Sequence, residues 1–159
     1  MKNTAVEVFL LLAADVLNKK RIKMMKEFVQ HGNTSCYEHS VAVAYYCLYL
    51  DMRFDIGCSR KELVRGALLH DYFLYDWHEK DPGHRLHGFS HPKTAYKNAK
   101  ADFNITVKEG EIIRKHMFPL VPLPPVCRES ILVSLVDKYC SVLETFFSAP
   151  YLNAPFAAV

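Results

Sequence analysis

Three times between residues 35 and 109 this sequence sets a serine or threonine three residues ahead of a glutamate, at the start of a mostly apolar run: Ser35 with Glu38, Ser59 with Glu62, and Thr106 with Glu109. That spacing has the form of a capping box, in which the hydroxyl and the carboxylate each accept one of the N–H groups a helix leaves unpaired at its start. The runs that follow, "HSVAVAYYCLYL", "LVRGALLHD" and "EIIRKHM", are therefore predicted to be helical. No segment alternates apolar and polar residues with period two, which argues against a sheet. Residues 4–30 read as helical with a break near Asn18, and "HGN" at 31–33 supplies the stop. Pro92, lacking an N–H, fits the first turn of a helix that His91 opens. Prolines 119, 122, 124 and 125 end the helix begun at Thr106, and a last helix starts near Val126. The expected class is all-α: a bundle of about six helices in one domain over 1–159, with its core at 35–140, an N-terminal helix at 4–30 and a tail at 148–159.

Composition narrows what such a bundle does. With 159 residues, 50% of them apolar, the chain can bury one sizeable core. Its 20 basic and 17 acidic residues give a net charge of +3, too mild for a nucleic-acid or membrane footprint and compatible with a small anionic substrate. The cysteines, Cys36, Cys47, Cys58, Cys127 and Cys140, are odd in number and contain no C-x-x-C pair, as expected of a reduced, cytoplasmic protein. The run "AVEVFLLLAADVL" imitates a signal peptide, but Glu7 and Asp15 interrupt it and no small-residue cleavage site follows, so it reads as a core helix. No apolar run reaches the roughly 18 residues of a membrane span. The apolar tail is expected to pack on the domain or on a second copy, which makes a homo-oligomer a candidate assembly.

The chemistry lies in where histidines and acids fall on these helices. His39 sits in a first turn, His70 and Asp71 close a helix, His91 opens one, His116 nears the end of another, and Asp137 interrupts the apolar run "ILVSLVDKYCSVL". A carboxylate facing a core is costly unless paired or coordinated. Any one of these residues alone reads as a cap or a surface group; their order and spacing are the signal.

Taken in order, His39 in "YEHSVAVA", His70-Asp71 in "GALLHDY", His91, His116 and Asp137 in "SLVDKY" resemble the HD superfamily of metal-dependent phosphohydrolases. The two histidines beyond the minimal pattern, His91 and His116, look like those of its two-metal branch, which includes bacterial enzymes that hydrolyse diadenosine tetraphosphate. The resemblance implies His39, His70, Asp71 and Asp137 on one metal, His91 and His116 on a second, and Asp71 bridging. Imidazole with carboxylate suits iron, manganese, cobalt, nickel or zinc. Two such ions about 3.5 to 4 Å apart hold a bridging hydroxide that attacks phosphorus, so the implied reaction is hydrolysis of a phosphate ester or anhydride in a nucleotide or another small phosphorylated compound.

Around this set, Asp76 is the candidate for protonating a leaving group or orienting the nucleophile. Lys138, about 100° around the helix from Asp137, is a candidate phosphate contact. His87 competes with His91 for the second metal or reaches substrate. Arg85, Lys93, Arg114 and Lys115 are further cations to weigh. The aromatic residues Tyr72, Phe73, Tyr75, Trp77 and Phe89 either stack a nucleobase or, the favoured reading, pack back on the core. Two other functions compete: a nucleotide-binding regulatory module without turnover, which would be expected to lack ligands, and oxygenase chemistry at a diiron centre, which nothing in the residues favours.

Overall fold

A computed structural model of the chain describes residues 2–76, 78, 87–147, 150–151 and 154–157. They form α1 (Lys2–Leu17), α2 (Lys20–Lys23), a 3-10 turn (Met24–Glu27), strands β1 (Val29–His31) and β2 (Thr34–Ser35), then α3 (Cys36–Phe54), α4 (Arg60–Leu69), α5 (His87–Asp102), α6 (Val107–Lys115) and α7 (Arg128–Phe146). The class is all-α, as the sequence predicts, with one antiparallel pair, β1 with β2, added. No described helix is long and apolar enough to cross a membrane.

Two of the three capping boxes close. Ser35 Oγ accepts from the Glu38 N–H and Glu38 accepts from the Ser35 N–H at 2.9 Å, opening α3. Thr106 and Glu109 do the same for α6. Each cap contributes about 1 kcal/mol. The third is overridden by tertiary partners: Ser59 is the N-cap of α4 but its side chain makes no cap bond. Its N–H donates to Glu129 of α7 at 2.6 Å, while Glu62 accepts from the Thr106 hydroxyl at 2.7 Å.

Two predicted boundaries are corrected. The expected break near Asn18 is present, with α1 ending at Leu17, but the helix does not run to residue 30: α2 and the 3-10 turn end at Glu27, and residues 29–35 form a hairpin. Strands of three and two residues are too short to display a period, so nothing in the pattern could announce them. The hairpin turns through Gly32, at φ +55°, where a Cβ would lie 2.5 Å from the Glu144 carbonyl oxygen of α7. The backbone therefore sits directly on the end of α7 because Gly32 has no side chain. Helix α5 begins at His87 rather than at His91, so Pro92 lies inside it. The N–H that proline lacks would have met the Gly88 carbonyl in the first turn.

Helix α4 is the centre of the bundle. Leu63 to Leu69 are all buried, and α4 packs against α1, α3 and α6, with α7 crossing α3 and α6. Gly66 sets the α4–α6 separation: a Cβ there would meet Ile112 Cδ1 at 2.5 Å. Buried Arg65 ties the same helices by charge, donating to Glu109 of α6 at 2.6 Å and to Asp15 of α1. From the tail, Tyr151 and Phe156 are buried against Tyr45 and Tyr46 of α3, so these residues pack on their own chain. All five cysteines are free thiols.

Candidate metal centre

His70 and His116 follow directly on α4 and α6 as their C-cap residues. The last carbonyls of a helix have no partner of their own. Each histidine supplies one: His70 Nδ1 donates to Ala67 O at 2.6 Å, and His116 Nδ1 donates to Ile113 O at 2.8 Å. With its proton committed to Nδ1, each neutral ring turns the Nε2 lone pair inward. The rings lie 4.8 Å apart, centroid to centroid, an approach set one turn earlier in each helix by Gly66 against Ile112. His39, in the first turn of α3, is oriented from α7, where both Glu144 oxygens lie 2.9 Å from its Nδ1. Asp137 enters from the middle of α7 and His91 from the second turn of α5.

All six predicted side chains are buried and converge as two groups that share one carboxylate: His39, His70, Asp71 and Asp137, and Asp71, His91 and His116. In the first, His39 Nε2 is 3.3 Å from His70 Nε2 and 3.1 Å from Asp137 Oδ1. In the second, His91 Nε2 is 2.9 Å from His116 Nε2. Asp71 divides its oxygens between them. Oδ2 is 3.4 Å from His70 Nε2 and 3.6 Å from His39 Nε2, while Oδ1 is 3.1 Å from His91 Nε2 and 3.5 Å from His116 Nε2. Oδ1 is buried and has no hydrogen-bond donor. Lone pairs that face one another this closely require a cation among them, a proton or a metal ion. The mix of imidazole nitrogen and carboxylate oxygen suits a divalent transition metal.

The electrostatics agree. Burial resists charging His39, but the Glu144 and Asp137 carboxylates outweigh it and hold its pKa well above the ordinary value. Burial opposes charge on His70 too, and Asp71 and Asp137 raise it. Burial lowers His116, with help from His70 and His91. For Asp71, burial is overcome by His70, His116 and His91, and for Asp137 by His39 and His70, so both carboxylates titrate well below the usual range. The carboxylates thus stay ionised at neutral pH.

The HD-domain family model matches residues 36–141 of the 159. The chain belongs to the HD-domain family. Membership implies metal-dependent phosphohydrolase chemistry in general and the binding of divalent metal. No curated protein and no solved structure matches the chain.

An open cavity of about 870 Å³ adjoins the HD residues; Asp71, His91, His116 and Asp137 line it, as do Met117, Pro119 and Leu120. Lys138 lines it as well, yet its ammonium donates to His116 O at 2.9 Å, Ser134 O at 3.0 Å and Ser134 Oγ at 2.9 Å. Those three bonds use the donors an ammonium has. Asp76 is partly exposed, accepts from the His78 N–H at 2.9 Å and faces that residue's ring. His87 falls in the first turn of α5, but its side chain lies outside the described residues, as do Trp77 and Arg85. Tyr72 and Phe73 pack into the core as favoured, Phe73 edge-on to His91 at 5.7 Å with Tyr75 tilted against it, while Phe89 is exposed. Arg114 lies over the Tyr96 ring.

Three functional neighbours escaped the sequence reading. Gln30 donates to Asp71 Oδ2 at 2.5 Å and accepts from the Cys36 thiol. Glu144 orients His39, and the Tyr151 hydroxyl donates to Glu144 at 2.6 Å. All three, Gln30, Glu144 and Tyr151, fall outside the HD match, on its two flanks. Only Glu144 carried a signal, as an acid in a largely apolar helix like Asp137.

Proposed function

We propose that this HD-domain protein hydrolyses a phosphate ester or anhydride bond in a small phosphorylated compound, with nucleotides as the first class to test, and that its centre is binuclear, like that of the branch acting on diadenosine tetraphosphate. The observation that carries the reading is Asp71, whose two oxygens each face a different pair of imidazoles. His39, His70, Asp71 and Asp137 would hold one ion, and Asp71, His91 and His116 the other. When bound, two divalent ions supply Lewis acidity toward phosphoryl oxygens and lower the pKa of a water molecule.

The chain's own residues do the rest. Asp71 is kept ionised by its imidazole neighbours and oriented by Gln30. The Nδ1 bonds of His39, His70 and His116 fix which nitrogen each ring offers. Met117, Pro119 and Leu120 give the organic part of a substrate an apolar wall, in a cavity of nucleotide scale. Asp76, near the start of the connecting loop, is the proposed proton donor to the leaving group. His87 is the proposed substrate contact, and paired His87→Ala and His91→Ala variants separate it from the ligand role given to His91.

Elemental analysis of the purified protein, followed by a screen of phosphate monoesters and nucleotides with added manganese, iron or cobalt, tests the proposal. Two equivalents of transition metal and turnover of at least one substrate are expected. A protein that holds no metal and turns over nothing refutes the function, and a single equivalent in an active protein refutes the binuclear centre.

A further inference from the structure

Glu144 sits in the last turn of α7, where its neighbours Thr145, Phe146 and Phe147 face solvent, yet it is 1% exposed. Burying a carboxylate is costly without donors. Glu144 has two: both its oxygens are 2.9 Å from His39 Nδ1, and Oε1 also accepts from the Tyr151 hydroxyl at 2.6 Å. The Tyr151 ring packs against Tyr46 of α3 and against Phe156. On the other side, the Gly32 backbone lies against the Glu144 carbonyl and the His31 ring meets His39 edge-on at 5.9 Å. Tyr151 of the tail thus holds the Glu144 carboxylate, while Gly32 of the hairpin lies against the same residue's backbone carbonyl.

We infer that Glu144 and Tyr151 are positioning residues of the metal centre, and that the C-terminal segment is a working part of the site through the contact chain Tyr151 to Glu144 to His39. The inference rests on the metal-centre reading above. It concerns residues beyond the family match, which ends at 141. The physical reason is the tautomer. An imidazole gives a metal only a nitrogen without a proton. By accepting from Nδ1–H, Glu144 keeps the Nε2 lone pair of His39 directed at Asp137 and His70. Without that acceptor the ring is free to carry its proton on Nε2 or to rotate. Tyr151 in turn holds the carboxylate in the plane His39 needs and balances the oxygen that would otherwise be short of donors.

Cobalt(II) affinity of the full chain, measured by competition with a coloured chelator, together with the visible absorption of the bound cobalt, reads this directly. Glu144→Gln is expected to weaken binding by about 10- to 100-fold, the usual loss when the partner of a ligand histidine is removed, and to shift the cobalt spectrum. Tyr151→Phe keeps the ring and its packing and is expected to weaken binding by a smaller factor, roughly threefold to tenfold. Thr145→Val, one residue away on the exposed side, should leave both readouts unchanged. Wild-type affinity and spectrum in both Glu144→Gln and Tyr151→Phe overturn the inference while leaving the metal centre standing. If Glu144→Gln does not fold, Tyr151→Phe alone decides. A wild-type chain that takes up no cobalt overturns the metal-centre reading and this inference together.

Discussion

Replacing Gly66 with alanine adds one methyl group at the point where α4 and α6 touch, four residues before His70 and opposite Ile112, which is four residues before His116. The new carbon would lie 2.5 Å from Ile112 Cδ1, 3.1 Å from its Cβ and 3.2 Å from its Cγ2. Overpacking of this kind destabilises by about 1 to 3 kcal/mol. Alanine in a helix interior returns about 1 kcal/mol over glycine. The net loss is therefore small, about 1 kcal/mol and a shift in Tm of a few degrees for a chain of this size. The site is affected as well. Cδ1 can swing away by side-chain rotation, but Cβ at 3.1 Å and Cγ2 at 3.2 Å lie nearer the α6 backbone, so full relief parts the helices by a few tenths of an ångström. Both imidazoles must move with their helices, because each is bonded to a carbonyl of its own helix, Ala67 and Ile113. A displacement near 1 Å in a catalytic constellation lowers rates by about 100-fold, so a shift of a few tenths of that costs about 3- to 10-fold. Thermal unfolding of the metal-free protein, cobalt titration and turnover are the assays. Gly66→Ala should keep most of its stability and lose about 3- to 10-fold in affinity or turnover, and Ile112→Val in the same chain, by removing Cδ1 and freeing the side chain to give way, should restore part of it. Wild-type metal affinity in Gly66→Ala, or no recovery on adding Ile112→Val, refutes the claim that this contact sets the ligand spacing.

Asp71→Ala should remove both bound metal and hydrolysis, read by elemental analysis and a turnover assay, because this one carboxylate belongs to both ligand groups. Lys138→Met should lower stability by about 1 to 3 kcal/mol, through loss of the bonds to His116 O and Ser134, with little change in KM. A raised KM at unchanged Tm would show instead that the ammonium reaches substrate. Burial works against the Asp51 charge, but Arg60 at 2.7 Å and the Cys58 N–H at 2.9 Å hold its pKa below the ordinary value of 3.8. A depressed folded-state value means stability that is present above 3.8 and lost as pH falls through the folded pKa. Asp51→Asn should accordingly be about 1 to 3 kcal/mol less stable than wild type at neutral pH, with the gap closing in acid unfolding curves below pH 4.

The parts of the fold that the sequence discloses are those whose determinants are local. Ser35 with Glu38 and Thr106 with Glu109 satisfy their own helix ends, and both boxes form where the spacing places them. Ser59 and Glu62 show the same spacing and do not close a cap, because Glu129, 70 residues away, and Thr106, 44 away from Glu62, compete for the same groups. Nothing within four residues of Ser59 records that competition. The hairpin is hidden for a different reason. Its five strand residues have no periodicity to read, and the glycine that permits it is explained only by the Glu144 carbonyl it rests on, more than a hundred residues later.

The same division runs through the metal centre. Candidate ligands are conspicuous because a metal accepts few residue types and the helices impose their spacing, so among the described residues the six side chains that converge are the six the sequence singles out for metal. Their supports are of another kind. His70 and His116 are oriented by carbonyls of Ala67 and Ile113, atoms every residue owns, so no side chain three residues back could announce the bond. That solution is available only at a helix C-terminus, where the carbonyls are unclaimed. His39 stands at a helix N-terminus, where unclaimed groups are N–H donors and offer nothing to its Nδ1–H. It needs an acceptor brought from elsewhere, and Glu144, carried on α7 and steadied by Tyr151, is that acceptor. Placement at the end or the start of a helix therefore accounts for His70 and His116 being held by their own backbone while His39 borrows a side chain, and it is the borrowed support, Glu144, that lies beyond the family's matched residues.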